Sequence, residues 1–356
     1  MFTRMGFSPA HIVATNPFLS SDMPADQQTR WVPGITVEIG RQTDGSCDWH
    51  HLYGLPAYGV GVSVASAGNG VDISQPLDAY TFFSWPFARP SERVQVTTDF
   101  GMGLSWNWKA FNQQTRALRS VLGSDVNVRI DWGFYLRYVA TPQTSVYVGV
   151  DFTHRSNGGV RQPDQGLNVI GPSVSLRHNL APAARAISLK KPPPFRPSWE
   201  LVVGGGAGVK NVMEPGNPTE RHNFGAFDGS AGVQRHFYRY GKIAAGADVI
   251  YDGATGARFN AGSGANAQSR AAFGDRLAVG LYGGYEHVIG RFSALVQLGS
   301  IVADGFQDAN ASRLYQKYGW RYQVNDNVYG VFAVRAIEDR KADFLEFGAG
   351  YRKRWR

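Results

Sequence analysis

Within the stretch Asp151–Asn168, His154 and Ser156 occupy alternate positions, Asn157 and Gly158 follow directly, and Asn168 lies beyond Pro163, Asp164 and Gly166. These residue types can build an acyl-transfer site. A serine hydroxyl is a weak nucleophile until a neighbouring imidazole takes its proton. The imidazole in turn needs a third group to fix its tautomer, and a carboxamide oxygen such as that of Asn168 can accept the other ring N–H. A tetrahedral intermediate needs donors aimed at its oxyanion. The Asn157 side chain and the Gly158 backbone N–H are the candidates, and such donors contribute roughly 3–4 kcal/mol each. Arg155 and Arg161 flank the segment and suit lipid phosphates, although each also reads as an ordinary solvated charge. A His-x-Ser pair alone says little, because a spacing of two recurs by chance and a strand-end His and Ser can simply anchor a headgroup interface.

What adds weight is the element that must carry these residues. Side chains alternate along a strand, so Val146, Val148, Val150, Phe152, His154 and Ser156 share one face, and that face is otherwise apolar. Pro163-Asp164 and Gly166 mark a turn. Folding the hairpin about residue 161 sets Asn168 across from His154, with Cβ atoms roughly 4.5–5.5 Å apart. On the return strand Ile170, Val174 and Leu176 continue the apolar face, while Gly171, Ser173 and Ser175 take the other. A serine, a histidine and an amide thereby converge on a wall made for hydrocarbon.

The same period of two runs through the chain. From Asp125 to Tyr138, the even positions are Val126, Val128, Ile130, Trp132, Phe134, Leu136 and Tyr138, whereas Asn127, Arg129, Asp131, Gly133, Tyr135 and Arg137 fill the odd ones. A helical period of 3.6 would scramble this pattern, and the segment is long enough to cross a bilayer as a tilted strand. The opposite face bears Arg, Asp and Glu, which suits a hydrated lumen. Trp106, Trp108, Tyr315, Tyr318, Trp320 and Tyr322 gather at strand ends like an interfacial girdle. About fifteen candidate strands follow, from 35–42 and 57–65 through 144–154 and 167–177 to 343–352. A closed bacterial barrel takes an even number, so either the region around His11–Phe18 adds a strand or one candidate is false. The expectation is an all-β fold, one antiparallel transmembrane β-barrel of about 12–16 strands spanning residues 1–356. In it, the basic, proline-rich stretch 181–197 is a long loop rather than a domain linker. An extra N-terminal strand would also move the His154 hairpin from the periplasmic rim to the outer one.

Bulk composition agrees with a barrel. Glycine is abundant, at 43 of 356 residues, aromatics reach 13% and charged residues only 18%. No run of about 18 apolar residues is present, which excludes a helical span, and the mean hydropathy of -0.27 misses a barrel because alternation hides its apolar half. The formal charge of +8 is scattered singly, with small clusters at Lys190–Lys191 and Arg352–Arg354, unlike a nucleic-acid stripe. Cys47 is the sole cysteine, so no intrachain disulfide forms. Cys47, Asp48, His50 and His51 cluster, but they read as loop residues rather than metal ligands. Gly204-Gly205-Gly206-Ala207-Gly208 reads as a glycine-rich strand, not a nucleotide loop. The opening residues Met1–Gly6 lack the apolar core of an export signal, so a trimmed or misassigned start is expected.

The motif His154-Arg-Ser156-Asn157-Gly158, with Gln162-Pro163 and Gly166-Leu167-Asn168, resembles the active-site hairpin of the outer-membrane lipid A 3-O-deacylase (acyloxyacyl hydrolase) family. The resemblance extends upstream through Glu38–Gly45 and Trp49–Tyr53, over about residues 5–180; residues after Trp199 resemble only its longer members. It implies that His154 is the general base, Ser156 the nucleophile and Asn157 an oxyanion donor, in a bacterial outer-membrane esterase that removes ester-linked acyl chains from lipid A. One position departs: the family has Glu where this chain has Asn168. The outer-membrane phospholipase A family, which shares His-x-Ser-Asn-Gly, uses Asn there. A phospholipase is therefore the alternative within enzymes, and a non-catalytic porin-like barrel the alternative outside them. No cofactor is expected. Calcium enters only under the phospholipase reading, with Asp164, otherwise a plain turn residue, as a ligand. The expected partner is membrane lipid, with neither nucleic acid nor a protein implied.

Overall fold

The computed structural model describes residues 1–13, 31–66, 74–108, 110, 122–164, 166–181, 189, 191, 194–214, 217–258, 268–269, 271–305, 313–337 and 341–355. The fold is all-β and antiparallel. Strands β1 (Phe2–Val13), β2 (Trp31–Gln42), β3 (Ala57–Ala65), β4 (Ser74–Ala88), β5 (Val94–Trp108), β6 (Asn127–Val139), β7 (Thr144–Ser156) and β8 (Leu167–Asn179) pair in chain order. Strand β1 then pairs with β8, from Phe2 opposite Asn179 to Val13 opposite Asn168, and closes the sheet into a barrel.

A second barrel follows. It is built from β9 (Ser198–Glu214), β10 (Asn217–Tyr238), β11 (Gly241–Asp252), β14 (Leu277–Ile289), β15 (Phe292–Asp304), β16 (Leu314–Gln323), β17 (Val328–Ile337) and β18 (Lys341–Trp355), with β18 closing onto β9. The two-residue strands β12 (Ala257–Arg258) and β13 (Gln268–Ser269) form a separate ribbon. The expected single barrel is therefore corrected to two closed barrels of eight strands each. Alternation along a strand is the same in one large barrel as in two small ones, so it reports which face is apolar but not where the hydrogen-bonded ladder closes. The stretch 181–197 accordingly connects two closed sheets instead of looping within one; residues 182–188, 190, 192 and 193 of it lie outside the described residues. Each of the fifteen candidate strands corresponds to a barrel strand, and the sixteenth is Phe2–Val13. Residues 14–18 of the suspected extra strand lie outside the described residues.

Each barrel is inside-polar and outside-apolar. On β6, Asn127 and Arg129 are buried while Trp132, Phe134 and Leu136 are exposed, the pattern of a strand with one face in lipid. An eight-stranded interior is just wide enough for side chains to fill it, and here they do so as ion pairs. In the first barrel Arg4 pairs with Glu38 and with Asp99, and Arg129 with Asp78 and Asp131 at 2.8 Å each. In the second, Lys242 bonds Glu200 at 3.0 Å, Lys317 bonds Asp228 at 2.8 Å, and Arg321 bonds Glu286 at 2.7 Å. Such pairs neutralise charge that would otherwise be buried uncompensated.

One end of the first barrel also holds a dry cluster inside the wall: Ala10, Ile12, Val32, Ala65, Trp108, Leu122, Leu167 and Val169. This rim carries the connections 14–30, 66–73, 109–126 and 157–166, whereas the opposite rim has the short turns 89–93 and 140–143 beside 43–56. Bacterial barrels place long loops outside and short turns in the periplasm. With β1 added, the β7–β8 hairpin lies on the long-loop rim.

Candidate functional site

Strands β7 and β8 run in the register that sets His154 opposite Asn168. Their neighbours complete an outward row across five strands: Val13, Asn168, His154, Ile130 and Met102. The next row sets Ser156 beside Val128 and Leu104. Three polar side chains thus interrupt an apolar wall, with exposed Phe152, Val150 and Val148 continuing below them. A polar group beside hydrocarbon needs an internal partner, and these three partner one another.

Ser156 Oγ lies 3.0 Å from His154 Nε2, and His154 Nδ1 lies 2.7 Å from Asn168 Oδ1. Because the Asn oxygen accepts, the fitting tautomer carries its proton on Nδ1 and leaves Nε2 to accept from the serine. Both histidine and serine are half-buried.

The turn that follows is held by three devices. The backbone N–H of Asn157 donates to Asp164 Oδ1 at 3.0 Å, so Asp164 caps the turn. Leu122 bridges Asp164, and Leu167, fully buried in the dry cluster, anchors the return strand. Gly158, Gly159 and Gly166 adopt φ of 67°, 81° and 68°, the left-handed region that favours glycine. Gly166 has a second reason to be glycine: a Cβ there would stand 2.8 Å from His154 Cε1. In the sequence alone Gly166 reads as a turn marker. Its position two residues before Asn168 was the available signal.

Of the sequence-derived candidates, Ser156, His154 and Asn168 meet, and Asn157 and Gly158 directly follow the serine. Asn157 is buried, and its backbone N–H donates to Asp164. Arg155 requires correction as a phosphate contact. Alternation turns it into the lumen, where Nε and Nη2 bond both oxygens of Asp78 at 3.1 and 2.7 Å, and its guanidinium sits 5.9 Å from the Trp108 ring centroid. Arg161 is exposed in the turn.

The Cys47–Tyr53 region lies on the opposite rim, in a loop with a short helix at Asp48–Leu52. His50 Nδ1 lies 3.3 Å from Asp44 Oδ1, His51 Nε2 meets the Gly45 carbonyl at 2.8 Å, and Cys47 is exposed. Hydrogen bonds from the Ser46 hydroxyl and backbone N–H pull the Asp44 carboxyl down to about 2. Burial lowers the His50 imidazole against the opposing pull of Asp44. Among the described residues, no three His, Cys, Asp or Glu side chains are grouped to hold a metal.

The fold and its lipid-facing wall define a β-barrel protein of the bacterial outer membrane. Residues 34–177 match the family model of lipid A 3-O-deacylase (PagL), and residues 197–355 match that of the acyloxyacyl hydrolase C-terminal domain. The chain belongs to the PagL family, as a member carrying both parts. The crystal structure of the outer membrane enzyme PagL is similar over 51% of this chain and 100% of that one, at 18% identity and a TM-score of 0.33. A triple mutant of the Rhodopseudomonas blastica porin covers 99% of both chains at 7% identity and a TM-score of 0.18. The CymD monoaromatic hydrocarbon channel covers 99% of this chain and 87% of its own, at 11% identity and a TM-score of 0.19. No curated protein matches the chain.

Proposed function

We propose that the protein is a serine esterase that hydrolyses ester-linked acyl chains of lipid A, with Ser156, His154 and Asn168 as its triad. The observation that carries this reading is the continuous line from Ser156 Oγ through both ring nitrogens of His154 to Asn168 Oδ1, at 3.0 and 2.7 Å, on the lipid-facing wall. An ester bond held in a bilayer can reach such a site without leaving the membrane. The long-loop rim is the outer one by the general barrel rule, and the outer leaflet is where lipid A resides.

The chemistry follows from the geometry. Ser156 Oγ attacks the ester carbonyl carbon as its proton passes to His154 Nε2. The carbonyl oxygen takes up the negative charge, against the Gly158 N–H and the Asn157 side chain. Asn168 accepts from Nδ1–H and holds the ring in line, although a neutral amide stabilises imidazolium less than a carboxylate does. His154 then returns the proton to the leaving alkoxide, which departs as the sugar or acyl hydroxyl. Water, deprotonated by the same imidazole, cleaves the acyl-serine and releases a fatty acid.

A porin-like role fits less well, since eight-stranded interiors fill with side chains and those of both barrels are crossed by ion pairs. Replacement Ser156→Ala tests the proposal. In outer membranes, mass spectrometry of lipid A and of phospholipids is expected to show deacylated lipid A with the parent protein and none with the variant. Loss of phospholipid acyl chains instead transfers the same triad to phospholipid substrates, and unchanged lipid A deacylation by a folded Ser156→Ala variant ends the enzyme proposal.

A further inference from the structure

The apolar wall of the second barrel is interrupted near one rim by two cations. Along the strands β10, β9 and β18, the outward positions 227–235, 199–207 and 347–355 are Phe, Gly, Ala, Val and Arg; Trp, Leu, Val, Gly and Ala; and Phe, Ala, Tyr, Lys and Trp. The two charges among them are Arg235 and Lys353. Register sets Arg235 beside Trp199 and Trp199 beside Trp355, with Val233, Leu201 and Lys353 forming the next row inward. The two cations therefore bracket β9 with Cα atoms roughly 12 Å apart, two strand spacings across and two residues along.

Their surroundings define what they face. The Arg235 guanidinium lies 4.9 Å from the Trp199 ring centroid, a cation–π contact that holds it flat on the wall. Glu200, between Trp199 and Leu201 on β9, points into the lumen, is fully buried and is engaged there by Arg354 at 2.8 Å and Lys242 at 3.0 Å. Among the described residues neither Arg235 nor Lys353 has an acidic partner. Trp199 and Trp355 are exposed beside them, at the level where aromatic belts meet headgroups. Cations on a lipid-facing wall are costly at the midplane and tolerated near the interface; here Arg235 lies three residues from the end of β10 and Lys353 two from the end of β18.

The leaflet follows from the loops of this barrel alone. The rim that holds Ser198 and Trp355 carries the short turns 239–240, 290–291 and 324–327, whereas the opposite rim carries the two long connections 253–276 and 305–313 beside the short 215–216 and 338–340. Short turns mark the periplasmic side, where the leaflet is glycerophospholipid.

We propose that the β10–β9–β18 seam binds the phosphate of one anionic glycerophospholipid, with Arg235 and Lys353 gripping the headgroup, Trp199 and Trp355 at the ester level, and Leu201, Val203, Val233 and Tyr351 along the acyl chains. This site is distinct from the Ser156 site and stands whether or not that site is an esterase.

The test uses the full-length protein extracted from bilayers of phosphatidylethanolamine with phosphatidylglycerol, and native mass spectrometry to count retained lipid. The parent protein is expected to retain phosphatidylglycerol over phosphatidylethanolamine by about tenfold. The Arg235→Gln, Lys353→Gln double variant is expected to lose that preference, and Arg235→Lys to keep it. Barrel closure is checked by heat-modifiable mobility; should the double variant fail to close, Lys353→Gln alone is expected to reduce the preference by about threefold. Equal retention of the two lipids by the parent, or an unchanged preference in closed variants, overturns the proposal. So does lipopolysaccharide bound at this seam when it is offered in place of phosphatidylglycerol.

Discussion

The α-carbon of Gly166 stands against the edge of the His154 ring, so close that a methyl group there would lie 2.8 Å from Cε1. Glycine at this point serves the turn through its φ of 68° and leaves the imidazole room to reach both partners. Gly166→Ala must therefore shift the ring, the turn or both. A displacement of about 1 Å in a catalytic group can cost about 10²-fold in rate. The expected outcome is a fall in kcat of at least tenfold, with a closed barrel by circular dichroism. Gly166→Asn separates the causes, since Asn tolerates the left-handed region but still carries a Cβ. It should be nearly as impaired as the alanine variant, and full activity in it would show that the ring has slack.

Asn168 is predicted to act by orientation alone. Removing it leaves Nδ1–H facing hydrocarbon and frees the ring to rotate, so Asn168→Ala should lower kcat by about 10²-fold with little change in KM. Asn168→Glu restores an acceptor that also carries charge, and should equal or exceed the parent rate. Single-turnover release of a labelled acyl chain measures both. An Asn168→Ala variant as fast as the parent would mean that the 2.7 Å contact does no positioning.

Much of this was legible in the residues themselves. The alternation of Val146 to Ser156, and its mirror from Asn168 to Leu176, determines face and register together, because a slip of one residue would turn every apolar side chain inward. What alternation cannot carry is closure. Whether β8 meets β1 or β9 depends on ladder hydrogen bonds between segments far apart in sequence, and Val174 alternates identically in either case. Phe2–Val13 was missed for a related reason: Pro9 interrupts it, and Met5 and Phe7 face out while Ser8 and Ala10 face in, too weak a contrast to stand apart from a leader. Arg155 misled because its neighbours His154 and Ser156 drew it toward the substrate, although its odd position already assigned it to the lumen.

That lumen contact carries its own prediction. Arg155, between the histidine and the serine in sequence, is bonded to both oxygens of Asp78 with its side chain almost wholly buried. Breaking a buried pair by removing one partner typically costs about 3–5 kcal/mol. Asp78 keeps Arg129 at 2.8 Å, so Arg155→Met should fall near the lower end, about 3 kcal/mol, measured by urea unfolding in vesicles. Its KM for lipid A should stay within about twofold of the parent, because the guanidinium faces away from the substrate. A raised KM with unchanged stability would return Arg155 to the phosphate-binding role.

At the opposite rim, the turn around Asp44 should respond to acid in a defined window. The carboxylate accepts from the Ser46 N–H at 3.1 Å and the Ser46 hydroxyl at 2.7 Å, and these bonds hold its pKa down at about 2 against an unfolded value near 4. A depressed carboxylate favours the folded turn fully above its unfolded pKa, and that contribution is lost as pH falls through about 4 toward 2. His50 adds in the same sense but in a higher window, since burial lowers its pKa below the unfolded value near 6.5 and protonation opposes the packed form. Protection of the residue 43–47 amides, relative to their intrinsic exchange rates, should accordingly begin to fall below about pH 6.5 and drop again below about 4, while strands β7 and β8 are unaffected. Replacing Ser46 with Ala should raise the Asp44 titration midpoint toward 4 by carbon-detected NMR; a midpoint already near 4 in the parent would mean that the Ser46 bonds do not hold the turn.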